Sequence, residues 1–179
     1  MSVLLQAVER ISQLGALGEQ LAAECLTRSG FSEVVNLNST RRHYPFADLL
    51  GVRGGVRFLI GVKTRNEMRQ GRLRINGSYN VVLVSNAKNQ LLKLQGKTVD
   101  EITQLALEEV YQLAQAEGAV PAWVTVPVDP ATSTFSAYFG LIGDLGNRRS
   151  VRMTYEARRQ YLALAENEHD NRIRPHLLN

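Results

Sequence analysis

An aspartate and a lysine occupy two neighbouring apolar segments in which charged side chains are unusual. Asp48 lies within residues 44–52, and Lys63 lies within residues 56–64. Both segments are rich in the aliphatic and aromatic residues that are typical of strands. Charged side chains are seldom buried without a partner. These two residues therefore predict either an ion pair or a site with a chemical role.

The glycines between the two segments predict a β-hairpin. If the turn consists of Gly54 and Gly55, Asp48 faces Gly61 across the hairpin. Directly opposed residues share one face of a sheet, so Lys63 lies diagonally next to Asp48, which is its expected partner. The other face is expected to carry the apolar residues of the hairpin, namely Ala47, Leu49, Ile60 and Val62.

A carboxylate at the end of a strand is suited to Mg²⁺, which takes oxygen ligands, retains water and is often shared with a phosphate group. A nearby lysine can orient water or offset charge that develops on a phosphoryl group. Glu19 follows Gly18 in the first predicted helix, and a glycine lets a helix approach a sheet closely, so Glu19 could reach the same site. The alternative is a structural ion pair between Asp48 and Lys63, whose attraction is largely offset by desolvation.

The composition limits the class of protein. The chain has 179 residues, of which 44% are hydrophobic and 21% are charged, which predicts one globular domain over residues 1–179. No apolar run is long enough to span a membrane, and Glu9 and Arg10 interrupt the segment where a signal peptide would be apolar. The single cysteine, Cys25, is expected to be a buried, unreactive thiol. These features predict a cytoplasmic protein with no membrane partner.

Basic residues are clustered rather than dispersed, and the net charge is +4. The segment 63–74 is strongly basic and contains one acidic residue, Glu67, while a second basic cluster lies at 148–159 and a third, smaller one at 41–43. Such clusters favour a polyanionic partner such as nucleic acid. The alternative is a solvated surface with no partner. The residues that we expect to contact nucleic acid are Arg65, Arg69, Arg72 and Arg74.

The periodicity of apolar residues predicts an α/β fold with one mixed sheet flanked by helices. The expected elements are a helix at 2–29, either whole or in two pieces broken near its glycines, a strand at 33–37 and the hairpin. They continue with a short helix or irregular segment at 86–95, a helix at 98–117, strands at 120–128 and 133–141, and a C-terminal helix at 155–168. Thr98 and Glu101 form a capping-box pattern, and two prolines place 120–128 near an edge or give it irregular ends. Residues 65–97 are predicted to be a basic insertion, and residues 169–179 a loosely attached tail.

The motifs in this order resemble the PD-(D/E)XK nuclease superfamily, which includes restriction endonucleases and archaeal Holliday junction resolvases. The resemblance is carried by Gly18-Glu19, by Gly30-Phe31, by Ala47-Asp48-Leu49-Leu50-Gly51 and by Ile60-Gly61-Val62-Lys63-Thr64. The family core follows the order αβββαβ, which matches the order predicted here. The resemblance implies a restriction endonuclease-like core with an extra C-terminal helix, and a DNA partner.

The resemblance also implies a role for each matching residue. Asp48 would bind Mg²⁺ together with the backbone carbonyl of Val62, Glu19 would be the acid on the helix, and Lys63 would be the catalytic lysine. Gly61 departs from the family pattern, because the family normally has Glu, Asp or Gln there as a metal ligand. Glycine offers no side-chain ligand, so metal affinity is expected to be weaker.

Two interpretations of Gly61 remain open at this point. In the first, another acid replaces the missing ligand and the protein is a Mg²⁺-dependent nuclease; the candidates are Glu67, Glu101, Glu108 and Glu109. In the second, the site is inactive and the domain is a nucleic-acid-binding or protein-interaction module. Dimers are common among proteins of this fold that cut both strands, so the resemblance also implies a homodimer or another protein partner.

Overall fold

The computed structural model describes residues 3–39, 44–66, 68–69, 72–73, 77–129, 132–165 and 172–173, with only the backbone described for 3–12, 68–69, 72–73 and 86. The helices are α1 (Val3–Arg28), α2 (Asn86–Leu94), α3 (Val99–Ala116) and α4 (Tyr155–Arg158). The strands are β1 (Ser32–Asn36), β2 (Leu49–Arg53), β3 (Val56–Asn66), β4 (Met68–Arg69), β5 (Arg72–Leu73), β6 (Ser78–Asn80), β7 (Val120–Asp129), β8 (Thr134–Phe135), β9 (Ala137–Leu141), β10 (Ser150–Arg152) and β11 (Leu162–Ala165).

The first helix is continuous and does not break at Gly15 or Gly18. Its apolar stripe buries Cys25 and Leu26 against the sheet, and this packing outweighs the cost of about 1 kcal/mol that each glycine imposes on a helix. Burial raises the pKa of the Cys25 thiol, which agrees with the predicted unreactive cysteine. Gly30, at φ 86°, follows the helix in the left-handed conformation that often ends helices.

The main sheet has the strand order β1-β2-β3-β7-β9-β11, and β8 also pairs with β7. The pairing of β3 with β7 is parallel and the other pairings in this sheet are antiparallel, so the sheet is mixed. Two small antiparallel pairs, β4 with β5 and β6 with β10, lie outside it. The order of helix, three strands, helix and strand is confirmed by α1, β1, β2, β3, α3 and β7.

The predicted register of the central hairpin is confirmed. Arg53 pairs with Val56 and Leu49 pairs with Ile60 across β2 and β3. Gly54 and Gly55 have φ values of 59° and 78°. A two-residue turn with positive φ at both positions matches the right-handed twist of the strands. This turn fixes which residues of β3 reach the end of β2, where Asp48 lies.

Both faces of the sheet are covered, as an α/β fold requires. On one face, Ile60 and Val62 of β3 belong to the buried cluster that contains the stripe of α1. On the other face, Leu59 packs with Ala114 of α3, and Trp123 of β7 packs in a second cluster with residues of α3. The predicted capping box begins α3, because the Thr98 side chain accepts from the Glu101 amide while the Glu101 carboxylate accepts from the Thr98 amide.

The strand β7 is central, so the prediction of an edge position is wrong. Pro121 and Pro127 lie within a strand that pairs with β3 along its length and with β9 and β8 on its other side. Proline lacks an amide hydrogen, and both prolines flank the part of β7 that pairs with β9, which runs from Ala122 to Thr125. The parallel pairing with β3 continues without a register shift from Val120 to Val128, so it tolerates both prolines.

The C-terminal helix is much shorter than predicted. It begins at Tyr155, with Thr154 as its cap, and ends at Arg158. Residues Leu162–Ala165 instead form β11, which pairs with β9 at the edge of the sheet. A short apolar segment fits either a helix or a strand, and here the open edge of β9 decides between them. Further along, Ile173 is buried in the main core and its amide donates to the carbonyl of Ser133.

No helix in the described ranges is both long enough and apolar enough to cross a membrane.

Candidate active site

Asp48 immediately precedes β2 and is fixed by both its backbone and its side chain. Its amide donates to the carbonyl of Ile60 at 2.9 Å, at the end of the β2–β3 ladder where Ile60 is also the partner of Leu49. Its carboxylate oxygen Oδ2 accepts from the amide of Val62 at 2.6 Å. This contact satisfies the β3 backbone beyond the end of β2. The second oxygen, Oδ1, is thereby directed away from the ladder.

Glu19 and Asp48 are joined by the amide of a single asparagine. Asn38 Nδ2 donates to Glu19 Oε1 at 3.2 Å and to Asp48 Oδ1 at 3.2 Å. Asn36 Nδ2 donates to the other oxygen of Glu19, Oε2, at 3.1 Å. The two carboxylates come from residues far apart in the sequence, and the predicted proximity of Glu19 to Asp48 is therefore present in the structure.

A close contact between α1 and β3 sets the position of Glu19. A Cβ atom at Gly18 would lie 2.6 Å from the Cβ of Thr64 and would overlap its hydroxyl oxygen. Only glycine lets the helix approach β3 this closely. The Thr64 hydroxyl is buried and makes no hydrogen bond to the described residues. The contact thus holds Glu19, the next residue on α1, over the same end of the hairpin as Asp48.

Lys63 lines the same cavity but does not pair with Asp48. The cavity has a volume of about 600 Å³, and its walls include Glu19, Asn38, Asp48 and Lys63. The described part of the chain contains ion pairs at Lys88 with Glu109 and at Lys97 with Glu101, and Lys63 makes none. The prediction of an ion pair between Asp48 and Lys63 is therefore wrong. The Asp48 carboxylate instead accepts hydrogen bonds from Val62 and Asn38, and Lys63 is half-buried at the cavity wall.

Phe46 fills the space next to Gly61. A Cβ atom at Gly61 would lie 3.0 Å from the Phe46 carbonyl oxygen and 3.5 Å from its ring. Phe46 itself has a φ of 67°, which is rare for a residue with a side chain. This kink breaks the alternation of side chains before β2. As a result Ala47 packs with Leu59 and Ala114, not with Leu49 and Ile60 as the sequence had predicted.

The acids that were proposed to replace the missing ligand are engaged elsewhere. Glu101 caps α3 and pairs with Lys97. Glu108 accepts from Gln104, and Glu109 pairs with Lys88. None of these three acids lines the cavity that holds Asp48. Glu67, the remaining candidate, lies outside the described residues.

Of the arginines that were expected to contact nucleic acid, those that the structure describes lie near the end of β3 and in the short strands that follow it. The guanidinium carbon of Arg65 lies 5.2 Å from the centre of the Tyr79 ring, a cation–π contact that holds an exposed side chain. The backbone of β4 and β5 places Arg69 directly opposite Arg72. Arg74 lies outside the described residues.

The oxygen donors at the end of the hairpin fit a hard divalent cation. The described residues contain no group of three or more His, Cys, Asp or Glu that could hold a metal ion. Glu19 and Asp48 supply two carboxylates. The Val62 amide donates a hydrogen bond to the carboxylate of Asp48, the residue immediately before β2. Since N–H and C=O of one strand residue point to the same side, the Val62 carbonyl also points to this side. The donor set is therefore oxygen-based and contains two acids.

Asn36 and Asn38 contact the candidate site, although no motif in the sequence marks them. They lie at the end of β1 and in the short 3₁₀ turn Leu37–Ser39. Two asparagines in the segment Asn36-Leu37-Asn38 indicate a turn, but they give no indication that both amides contact Glu19. Their role depends on the approach of β1 to α1, which only the folded chain shows.

Comparison with known proteins finds similarity in structure but not in sequence. No protein-family model matches the sequence, and no curated protein matches it. The chain is similar in structure to Hjc of Archaeoglobus fulgidus, a Holliday junction resolvase from an archaeal hyperthermophile, with 16% sequence identity and a TM-score of 0.47. The similarity covers 84% of this chain and 97% of that chain. By its own topology, this chain is an α/β protein whose mixed sheet is flanked by helices in the order αβββαβ.

Proposed function

We propose that this protein is a PD-(D/E)XK-like nuclease that hydrolyses phosphodiester bonds in DNA with the help of Mg²⁺. The observation that carries the proposal is the meeting of Glu19 and Asp48 on one asparagine amide, at a cavity that Lys63 also lines. These acids come from α1 and from the residue immediately before β2, and the fold brings them to one cavity. The αβββαβ order and the spacing of Asp48 and Lys63 support the same proposal.

Each residue of the proposed site has a distinct task. Glu19, Asp48 and the carbonyl of Val62 would hold Mg²⁺, which when bound would polarise a phosphate oxygen and lower the pKa of a water ligand. Asp48 is prepared for this task because the Val62 amide fixes its orientation through Oδ2. Lys63 makes no ion pair with the described acids, so its ammonium group can meet a phosphate oxygen or orient the attacking water.

The proposed DNA contacts lie along the continuation of β3. Arg65 leaves the strand two residues after Lys63, and the small β4–β5 hairpin carries Arg69 opposite Arg72. Arg74 follows that hairpin in the sequence. Phosphate contacts of this kind position a duplex without reading its sequence. We propose that this basic segment holds the backbone while the phosphodiester group enters the cavity.

Cleavage assays with matched variants test the proposal. Linear duplex, single-stranded and four-way-junction DNA would be incubated with the protein and Mg²⁺. We expect Asp48→Asn and Lys63→Gln to lower the cleavage rate by roughly a hundredfold or more, since each removes a group that acts on the reacting phosphate. Asp100→Asn and Lys93→Gln remove the same charges from exposed positions on α3 and α2 and should leave the rate unchanged. Equal activity in all five proteins would identify a contaminating nuclease and contradict the proposal.

A second candidate function is DNA binding without hydrolysis. It is favoured by the contact of Phe46 with Gly61, because the space of the usual third acid is filled by protein and not by solvent. This alternative predicts that DNA binding is sensitive to salt and survives Asp48→Asn, and that none of the three substrates is cleaved with Mg²⁺ or Mn²⁺. A titration of labelled duplex against protein, repeated at several salt concentrations, would measure that binding.

A further inference from the structure

Asn38 is held in place by contacts on several sides. Its own amide donates to Asn36 Oδ1 at 2.9 Å, and the preceding amide, that of Leu37, donates to the carbonyl of Asp48 at 2.9 Å. The hydroxyl of Ser39 donates to the carbonyl of Asn36 at 2.6 Å. The turn is therefore tied to Asp48 through the backbone as well as through the side chain of Asn38. These contacts fix the backbone at Asn38 and so keep its side chain next to the two carboxylates.

The side-chain amide of Asn38 lies between two carboxylates and donates a hydrogen bond to each of them. An amide nitrogen carries two hydrogens, and here one points to Glu19 and the other to Asp48. Both donors are used, whereas Oδ1 of Asn38 accepts no hydrogen bond from the residues that the structure describes. Two carboxylates that approach one point repel each other, and a divalent cation would relieve that repulsion more strongly than an amide does.

We propose that Asn38 supplies the oxygen ligand that Gly61 cannot supply. The inference rests on the proposed metal-dependent function. A half-turn about the terminal torsion of asparagine exchanges Oδ1 for Nδ2 at nearly constant shape, and this torsion is soft and roughly two-fold. In the cation-free protein the amide hydrogens face Glu19 and Asp48. In the loaded protein Oδ1 faces the same point, and the ligands are two carboxylate oxygens, one amide oxygen and the Val62 carbonyl.

If Oδ1 and Nδ2 of Asn38 exchange places when the cation binds, Asn38→Asp should lower the unfolding temperature of the cation-free protein and raise its affinity for the cation. In Asn38→Asp a third carboxylate replaces the only donor that the described residues place between Glu19 and Asp48. The cation-free protein should therefore unfold at a lower temperature than the wild type. The same added charge should tighten binding of a divalent cation by roughly tenfold, since ligand charge tunes affinity in oxygen sites. A residue that only supported the fold would not improve cation binding when it is changed.

The experiment is a calorimetric titration with Mn²⁺, combined with thermal unfolding in the presence of a chelator. The proteins are the wild type, Asn38→Asp, Asn38→Leu, Asp48→Asn and the control Asn147→Asp, which adds a carboxylate in an exposed loop. We expect Asn38→Asp to bind Mn²⁺ more tightly but to unfold earlier without it. Asn38→Leu should bind roughly tenfold or more weakly, and Asn147→Asp should behave as the wild type.

Two results would overturn the inference in different ways. If Asn38→Asp and Asn38→Leu bind Mn²⁺ with the affinity of the wild type while Asp48→Asn does not bind, Asn38 is no ligand, although the proposed metal site stands. If the wild type binds no Mn²⁺, both the inference and the proposed function fail. Because Asn38→Asp keeps the size and polarity of the side chain, it remains informative if Asn38→Leu does not fold.

Discussion

At the scale of single residues, the central feature is the close contact between Gly61 and Phe46. The sequence suggests a vacant position there, whereas the structure shows the Phe46 carbonyl 3.0 Å from where a Cβ would lie. Phe46 holds this position with a φ of 67°, and such backbone strain persists only when the surroundings enforce it. Gly61 and Phe46 therefore form one structural unit, and an acidic side chain introduced at position 61 would displace Phe46.

The first prediction compares alanine at two strand glycines. Gly61→Ala should destabilise the protein by about 1–3 kcal/mol, because the new methyl group presses on backbone that cannot rotate away. Gly51→Ala is the control, since its Cβ would lie 3.4 Å from the Phe31 ring, an ordinary contact distance. Urea unfolding of both variants measures the difference. A Gly61→Ala variant as stable as Gly51→Ala would show that Phe46 does not restrict position 61.

At the scale of elements, the contact of α1 with β3 positions the site. Gly18 meets Thr64 at a distance that no larger residue permits, and Glu19 follows directly on the helix. The second glycine of α1, Gly15, has no atom within 4 Å of the position that a Cβ would take. Gly18 is therefore required for close packing of α1 on β3, whereas Gly15 is not, although both lie in the same helix.

The second prediction uses that difference. Gly18→Ala should lower the free energy of unfolding by about 1–3 kcal/mol and weaken cation binding, because the helix must move away from β3. Gly15→Ala should raise the free energy of unfolding by about 0.5–1 kcal/mol, the ordinary gain from alanine in a helix. Denaturant unfolding and a Mn²⁺ titration check both effects. Equal stability changes in the two variants would rule out a special role for the Gly18 contact.

The sequence predicts elements well where a local rule applies. The Gly54-Gly55 turn fixes the hairpin register, and Thr98 with Glu101 begins α3 where expected. The prediction fails where non-local packing decides. The apolar residues of β11 become a strand because β9 offers an open edge, and β7 becomes central although it contains two prolines.

Some features of the candidate site can likewise be predicted from the sequence, and others cannot. The spacing along the hairpin and the resemblance to a nuclease family were sufficient to select Asp48, Lys63 and Glu19, which line one cavity. Two features could not be predicted, namely that Lys63 makes no ion pair with Asp48 and that Asn38 donates to both Glu19 and Asp48. Both depend on the approach of the turn after β1 to α1 and β2, and neither periodicity nor motif spacing carries information on that contact.

At the scale of the whole molecule, one of the basic segments continues from the end of the hairpin at which the proposed site lies. The proposed site lies at one end of the β2–β3 hairpin, and the basic segment continues from that end of β3 through Arg65 to the β4–β5 hairpin. Arg57 lies near the opposite end of β3, close to the turn. A DNA backbone that enters the cavity would therefore contact Arg65, Arg69 and Arg72 but not Arg57.

The third prediction concerns the salt dependence of DNA binding. Arg69→Gln and Arg72→Gln should each weaken binding to duplex DNA, and each should reduce the slope of log affinity against log salt concentration by about 1, because one phosphate contact is lost. Arg57→Gln should leave affinity and slope unchanged. Fluorescence anisotropy at several salt concentrations measures both quantities. Equal effects of Arg57→Gln and Arg69→Gln would indicate binding through net charge alone.

The account depends most directly on the ability of Glu19 and Asp48 to hold a divalent cation, so calorimetric titration with Mg²⁺ is its most direct test. The account predicts binding at one site in the wild type, loss of that binding in Asp48→Asn, and unchanged binding in Asp100→Asn. No heat of binding in the wild type, or equal binding in the wild type and Asp48→Asn, would contradict it and would leave DNA binding without hydrolysis as the function to pursue.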